Sequence, residues 1–292
     1  MSDKKSLLGK GVVVVGASSG IGYAVARLMA LHGAGVVVNG RTAATVDRAV
    51  QGIRIKGGRA VGVAGSAADA VVADELIETC TKQFGSLDVL VNCAGIPEPQ
   101  GSSILRVNPW DWRAQLESHL STAFTTCRAA APIMVAQGGG SIINTSSFAF
   151  LGDYGGTGYA AAKGAVNSLT MAIAAELREH SVRANVVCPG ARTRLSSGFA
   201  HEARILELYR RQMIDRTTMQ GALDPPPAEY VAPLYLYLAG AASASVTGEI
   251  FVAAGGFVGR YQRPAPTVLG YRDHRDAPAW SIEDLHQMIG PT

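Results

Sequence analysis

The sequence predicts an α/β protein whose parallel sheet is covered by helices on both faces. Three observations carry this. Short β-branched runs alternate along the chain with longer helical patterns. Two of those runs, Val12–Val15 and Leu87–Val91, are apolar almost without interruption, as strands buried on both faces must be. The first run leads straight into a glycine-rich turn and an apolar helix, an arrangement that puts a ligand at the carboxyl ends of the strands.

In chain order, Val12–Val15 is the first strand and about Ile21–Leu31 the first helix, with Val36–Val38 the second strand. Further strands fall at Ala60–Ala64, Leu87–Val91, Ser141–Asn144, Ala184–Val187 and Glu249–Val252. Ala70–Phe84 and Tyr159–Glu179 read as helices between them. Two stretches break the rhythm: 192–227, polar with an Arg-bearing helix, and the tail 259–292. No internal repeat or low-complexity segment is present.

Composition narrows the function. A chain of 292 residues, 48% hydrophobic, builds a large core without a metal or disulfide staple. Charged residues are 17%, below the ~25% usual for globular chains, and the 34 glycines exceed the usual ~7%. That excludes a disordered chain and predicts a compact fold with close backbone approaches. A net charge of +3 without a Lys/Arg block argues against nucleic acid and for a small-molecule partner. Cys80, Cys93, Cys127 and Cys188 form no C-x-x-C pair and have no His at metal-ligand spacing. They read as reduced thiols of a cytoplasmic protein without a metal site. No unbroken run of ~18 apolar residues predicts a membrane span, and the opening MSDKKSLLGK lacks a signal-cleavage pattern.

After the first strand comes Gly16-Ala17-Ser18-Ser19-Gly20-Ile21-Gly22. Glycines there let the backbone approach a pyrophosphate, and the helix beyond offers free N–H groups and the positive end of its dipole. The same residues contain G-x-S-x-G, which in a hydrolase would make Ser18 a nucleophile. Only residues 1–15 precede it, too few to supply the strand and loop of an oxyanion hole. A dinucleotide site carries an acid about 20 residues on for a ribose hydroxyl, or an Arg for a 2′-phosphate. The second strand ends Val38-Asn39-Gly40-Arg41, without an acid. Arg41 can pair bidentately with a phosphate, so NADP(H) is preferred, with NAD(H) possible.

Tyr159-Ala-Ala-Ala-Lys163 puts a phenol and an ammonium one helical turn apart on one face. A phenol titrates near 10, and a fixed cation lowers that toward the working range. Ser146 and Ser147 close the run SIINTSS, where a hydroxyl can hold a carbonyl or alcohol oxygen.

Gly16-x-x-x-Gly20-Ile21-Gly22, Asn92-Cys93-Ala94-Gly95, Ser146-Ser147, Tyr159-x-x-x-Lys163 and Pro189-Gly190 stand in the order and approximate spacing of the short-chain dehydrogenase/reductase family, which the chain resembles over residues 8 to about 257. The resemblance implies a Rossmann-type domain, a homotetramer or dimer, and reversible hydride transfer between a nicotinamide and an alcohol or ketone. It implies boundaries of 1–258 for that domain, with 191–227 folding over the substrate, and 259–292 for an extension. By position, Tyr159 is the general acid/base and Lys163 lowers its pKa and holds the nicotinamide ribose. Ser18, Ser19, Asn39, Asn92, Ala94 and Gly95 are expected at the cofactor, with Pro189, Gly190 and Thr193 beside the nicotinamide. The family's strand-end serine corresponds to Ser147, whereas counting back from the Tyr gives Ser146.

The chain departs from the family pattern in three places. Seven residues past Trp112, where relatives carry an Asn that relays protons through a water, stands His119, whose pKa near neutrality would permit a relay. The Asp that often follows the third strand is replaced by Gly65-Ser66, and Cys93 replaces the second Asn of the family's Asn-Asn-Ala-Gly. A His at 119 and the ending Trp280-Ser-Ile-Glu-Asp-Leu also resemble the dehydrogenase part of multifunctional β-oxidation enzymes, which act on 3-hydroxyacyl-CoA.

Leu151, Asp153 and Tyr154 are expected to border the substrate, with Leu195 and Phe199 from the covering segment. Apolar residues at 205, 208, 209 and 213 follow helical spacing, giving one greasy face that packs on the core, covers the substrate, or both. Arg204, Arg210, Arg211 and Arg216 read as its solvated face. The expected function is oxidoreduction of a hydrophobic secondary alcohol and its ketone. The alternatives are a 3-hydroxyacyl-thioester dehydrogenase and a non-catalytic dinucleotide-binding regulator.

Overall fold

The computed structural model describes residues 5–99, 101–154, 156–193, 196 and 198–290. The chain opens with β1 (Gly11–Val15), α1 (Gly20–Leu31), β2 (Gly35–Gly40), α2 (Ala43–Ile55), β3 (Arg59–Ala64), α3 (Ala70–Phe84) and β4 (Val89–Asn92). Next come α4 (Pro109–Leu116), a π-helical turn at Glu117–Ser121, α5 (Thr122–Ala136), β5 (Gly140–Thr145), a 3₁₀ turn at Phe148–Leu151 and α6 (Thr157–Glu176). The rest is β6 (Val182–Gly190), α7 (Phe199–Arg210), α8 (Arg216–Leu223), α9 (Ala232–Ala239), β7 (Ile250–Ala254), β8 (Phe257–Tyr261) and α10 (Ile282–Ile289).

The eight strands form one sheet in the order β3-β2-β1-β4-β5-β6-β7-β8. All neighbours are parallel except β7 and β8. The alternation of the pleat divides each apolar run between two cores. Val12, Val14, Val36, Val38, Val89 and Val91 pack with α1, α2 and α9. Val13, Val15, Val37, Leu90 and Ile142 pack with α3, α5 and the far part of α6. Strand order reverses between β1 and β4, opening a crevice at their carboxyl ends. The glycine-rich turn after β1, the segment after β4 and the serines after β5 all lie at this end.

β8 does not appear among the strands expected from the sequence. Gly255-Gly256, between β7 and β8, is the glycine pair of a tight hairpin, and Gly255 has φ +57°. The sheet-bearing unit runs to Tyr261, the end of this hairpin. Residues 262–292 form a second unit. In it α10 starts at a Ser281/Asp284 capping box, and the Arg272 guanidinium lies 3.9 Å from the Trp280 ring centre. Among the described residues no helix is long and apolar enough to cross a membrane.

Candidate active site

The turn after β1 is a cradle with no room for side chains. Gly16 has φ +72°, and a Cβ on it would lie 2.6 Å from the backbone nitrogen of Ala94. A Cβ on Gly22 would lie 2.4 Å from the Gly16 carbonyl oxygen, so the first turn of α1 presses directly on the loop. That turn carries no acidic residue to repel a phosphate. Ser18 faces Gly40 at the end of β2, Gly20 faces Thr193 beyond β6, and Ile21 packs against the core. Ser19 precedes the first residue of α1. Arg41 is exposed one residue past β2, beside the cradle. The residues present fit a pyrophosphate, because the first turn of α1 carries no acidic group and its loop no bulky side chain, while glycine at 16 and 22 lets the loop pack on its own backbone.

Two expected cofactor residues turn their side chains elsewhere. Asn39 is buried, and its Nδ2 donates to the carbonyls of Val63 and Gly65, both at 3.2 Å. It stitches β2 to β3, and its own carbonyl accepts the Ala17 N–H at 2.7 Å. Asn92 is buried too. Its Nδ2 donates to Asn144 Oδ1 at 2.9 Å, and its Oδ1 lies 2.9 Å from Thr126 Oγ1. Both arrangements have one physical reason: at a strand end beneath the crevice, a buried amide is satisfied from within.

At the carboxyl end of β5 the two serines separate. Ser146 is buried and its Oγ donates to the Lys163 carbonyl at 3.0 Å. Ser147 accepts the Ala149 N–H at 3.2 Å, starting the 3₁₀ turn, and hydrogen-bonds the Tyr159 phenol. Lys163 is buried, and its Nζ donates to the Thr145 carbonyl at 2.9 Å. Its ammonium stands 5.6 Å from the centre of the Tyr159 ring. Pro189 and Gly190 end β6, opposite Ala253 and Ala254. Thr193 follows, its backbone N–H donating to Ser196 Oγ at 2.9 Å.

The electrostatics differ from what the sequence implies. Burial pushes the Lys163 amine down to about 8. Burial also raises the Tyr159 phenol above its ordinary value, against the Ser147 hydrogen bond and the Arg204 charge, which lower it. His119 is corrected likewise: burial first, then the Lys163 charge, pushes its imidazole down to about 2. It is a neutral ring, and any relay through it passes between hydrogen bonds without a charged state. The π turn delivers it into the site, where its edge meets Tyr159 with ring centres 5.0 Å apart. Its Nε2 is 3.1 Å from the Ile96 carbonyl, its Nδ1 is buried without a partner, and the ring lies against Gly95.

Around the substrate side, Tyr154 packs on Phe148 at 4.5 Å between ring centres, while Leu151 and Asp153 are exposed. Ile205, Leu208 and Ile214 form a separate small core with Tyr154, Met213 and Met219. Phe199, expected against the substrate, opens α7 and is 86% exposed, because the buried face of that helix begins at Ile205. Tyr209 is 40% exposed. Leu195 lies outside the described residues. Arg204 leaves the expected solvated face: its Nη2 donates to the Tyr154 carbonyl at 2.8 Å. Sequence reasoning missed Glu98, which accepts the Tyr159 backbone N–H at 2.6 Å. Nothing in the spacing of Ile96-Pro97-Glu98 points to a helix that begins at residue 157.

A family model described as short chain dehydrogenase matches residues 10–200, two thirds of the chain and both halves of this site. The chain belongs to the short-chain dehydrogenase family. It is 34% identical to the short-chain reductase protein NovJ of Streptomyces niveus, over 84% of this chain and 92% of that one. It is 33% identical to the hydroxyacyl-CoA dehydrogenase ChsB1 of Mycobacterium tuberculosis, over 96% of this chain and 87% of that one. A crystal structure of a short chain dehydrogenase from Mycobacterium avium superposes with a TM-score of 0.79 at 30% identity, covering 97% of this chain and 94% of that chain. The chain is thus an oxidoreductase of this family, whose cofactors are nicotinamide nucleotides.

Proposed function

We propose that this short-chain dehydrogenase is an NADP(H)-preferring oxidoreductase that interconverts a hydrophobic secondary alcohol and its ketone. The observation that carries the reading is the Ser147–Tyr159–Lys163 cluster, with Ser147 and Lys163 buried and Tyr159 half-buried, at the carboxyl end of β5 across the crevice from the glycine cradle. When bound, the nicotinamide supplies or accepts the hydride. In the reducing direction Tyr159 gives its phenolic proton to the carbonyl oxygen, which the Ser147 hydroxyl holds by a second hydrogen bond. In the oxidising direction the phenolate takes the alcohol proton. Lys163, held by the Thr145 carbonyl, has two further N–H donors for the ribose side. Backbone of the cradle holds the pyrophosphate, and Arg41 the 2′-phosphate. Tyr154, Leu151 and the α7 core supply apolar surface on the substrate side. A homo-oligomer working in the cytoplasm completes the reading, and the four free cysteines fit a reducing compartment.

Titration with NADPH and NADH, followed by tryptophan fluorescence, tests the cofactor assignment. NADPH binds more tightly, and Arg41→Ala weakens it by about 10-fold, the cost of one charge-assisted contact, without changing NADH. Preference for NADH in the unaltered protein overturns the Arg41 assignment. The likeness to ChsB1 extends over 96% of the chain and favours a second reading, oxidation of a 3-hydroxyacyl thioester. Faster turnover of CoA thioesters than of simple ketones would replace the first reading with this one.

A further inference from the structure

Helix α6 carries Tyr159 and Lys163, yet its N-cap is Gly156, which has no side chain to bond the free N–H groups of the first turn. Glu98, on the segment after β4, fills that role from 61 residues away: its Oε2 accepts the Tyr159 N–H. A carboxylate at this end of a helix is also favoured by the dipole. Its other oxygen, Oε1, is buried without a hydrogen-bond partner, so the charge needs a cation nearby. The cation comes from α7. Arg204 reaches in, donates to the Tyr154 carbonyl, and interacts electrostatically with both Glu98 and Tyr159. Both side chains approach Gly156, which has φ +85°. A Cβ there would lie 2.7 Å from the Glu98 carboxyl carbon and 3.1 Å from Arg204 Nη2.

We propose that Glu98 and Arg204 are positioning residues, a clasp that fastens α7 to the first turn of α6 and holds Tyr159 between opposite charges. The apolar core of Ile205, Leu208 and Ile214 holds α7 down without fixing its register, because apolar contact is not directional. The clasp fixes it, with α7 held to the Tyr154 carbonyl at the same place where α6 is capped. The inference deepens the proposed function and rests on Tyr159 being its acid/base.

The groups facing Tyr159 are few. Lys163 comes from its own helix, Ser147 from the end of β5, Cys188 from β6 and His119 from the π turn. From α4 the facing side chain is the neutral Gln115, packed against Gly158. Glu98 and Arg204 complete the set. Of these last two, Arg204 favours the phenolate and Glu98 opposes it. Removing one or the other therefore moves Tyr159 in opposite directions, which a purely structural role does not do.

The test compares Arg204→Met and Glu98→Gln, the latter keeping an oxygen for the Tyr159 N–H. Two measurements are made on each: the pH profile of kcat/KM for oxidation of a hydrophobic secondary alcohol, and the ultraviolet titration of Tyr159. The Tyr159 signal is isolated as the difference from Tyr159→Phe in the same background. Oxidation needs the phenolate, so its rate rises as pH passes the phenol's pKa. Arg204→Met moves that rise up by about one pH unit and Glu98→Gln moves it down by a similar amount, while Arg204→Lys restores the original position. Folded variants whose profiles stay put, or move the same way, overturn the clasp. The phenol titration needs no substrate. Opposite movements there, in a protein that turns over no alcohol or ketone, uphold the clasp and reject the proposed function. Normal turnover without opposite movements does the reverse.

Discussion

Tyr159→Phe loses turnover of a hydrophobic ketone by about 10²–10⁴-fold, the usual contribution of a positioned proton donor, while binding of NADPH is retained. The substitution is narrow because the ring does two jobs that Phe can also do. It meets the His119 edge at 5.0 Å and lies beneath the Lys163 ammonium at 5.6 Å. Only the phenolic oxygen and its bond to Ser147 are removed. The ketone then loses the group that donates to its oxygen, and the Ser147 hydroxyl is left to hold that oxygen alone. Loss of rate therefore appears in kcat more than in KM, since a proton transferred in the transition state is absent from ground-state binding. Steady-state kinetics together with a fluorescence titration of NADPH check both halves. Retained turnover would remove Tyr159 from the reaction. Loss of turnover with the cofactor still bound sets aside a non-catalytic dinucleotide-binding regulator.

What the sequence shows of this molecule follows from how local each signal is. Strand β1 is legible because four consecutive valines belong to both cores at once, and α3 because its apolar positions recur at helical spacing from Ala70 to Phe84. Tyr159 and Lys163 are legible for the same reason, since one turn of one helix brings them together. The misreadings concern where a side chain points once distant segments meet. Asn39 and Asn92 sit at strand ends, as expected of residues near a cofactor, and the structure adds that the Asn39 Nδ2 is bonded to Val63 and Gly65 and the Asn92 amide to Asn144 and Thr126. Arg204 lies among arginines of similar spacing, and only the approach of Glu98 and Tyr154 distinguishes it. The titration of His119 and Tyr159 depends on burial, which no residue spacing states.

The network beneath the site gives the largest expected effect on stability. Asn92 and Asn144 face each other in register across β4 and β5, and both are buried. Asn144 accepts from Asn92 Nδ2 and donates through its own Nδ2 to Thr170 Oγ1, each at 2.9 Å. Thr170 donates in turn to the Val166 carbonyl at 2.7 Å, two turns along the helix that carries Lys163. Asn144→Leu fits the strand but leaves the Asn92 amide without its acceptor and Thr170 without its donor, both away from water. At ~1–3 kcal/mol for the stranded Asn92 N–H, and less for Thr170, which keeps its bond to the Val166 carbonyl, the loss is about 2–4 kcal/mol, seen as a fall of about 10 °C in the thermal midpoint. Asn92→Leu costs less, because it takes the Asn92 donor from Asn144 Oδ1 while Thr126 still donates to the Thr122 carbonyl at 2.8 Å. The double substitution removes both partners of the central hydrogen bond, so its cost falls below the sum of the two. Additive costs in that cycle would mean that each Asn packs for itself, and the two strands would then be held at this point by their ladder alone.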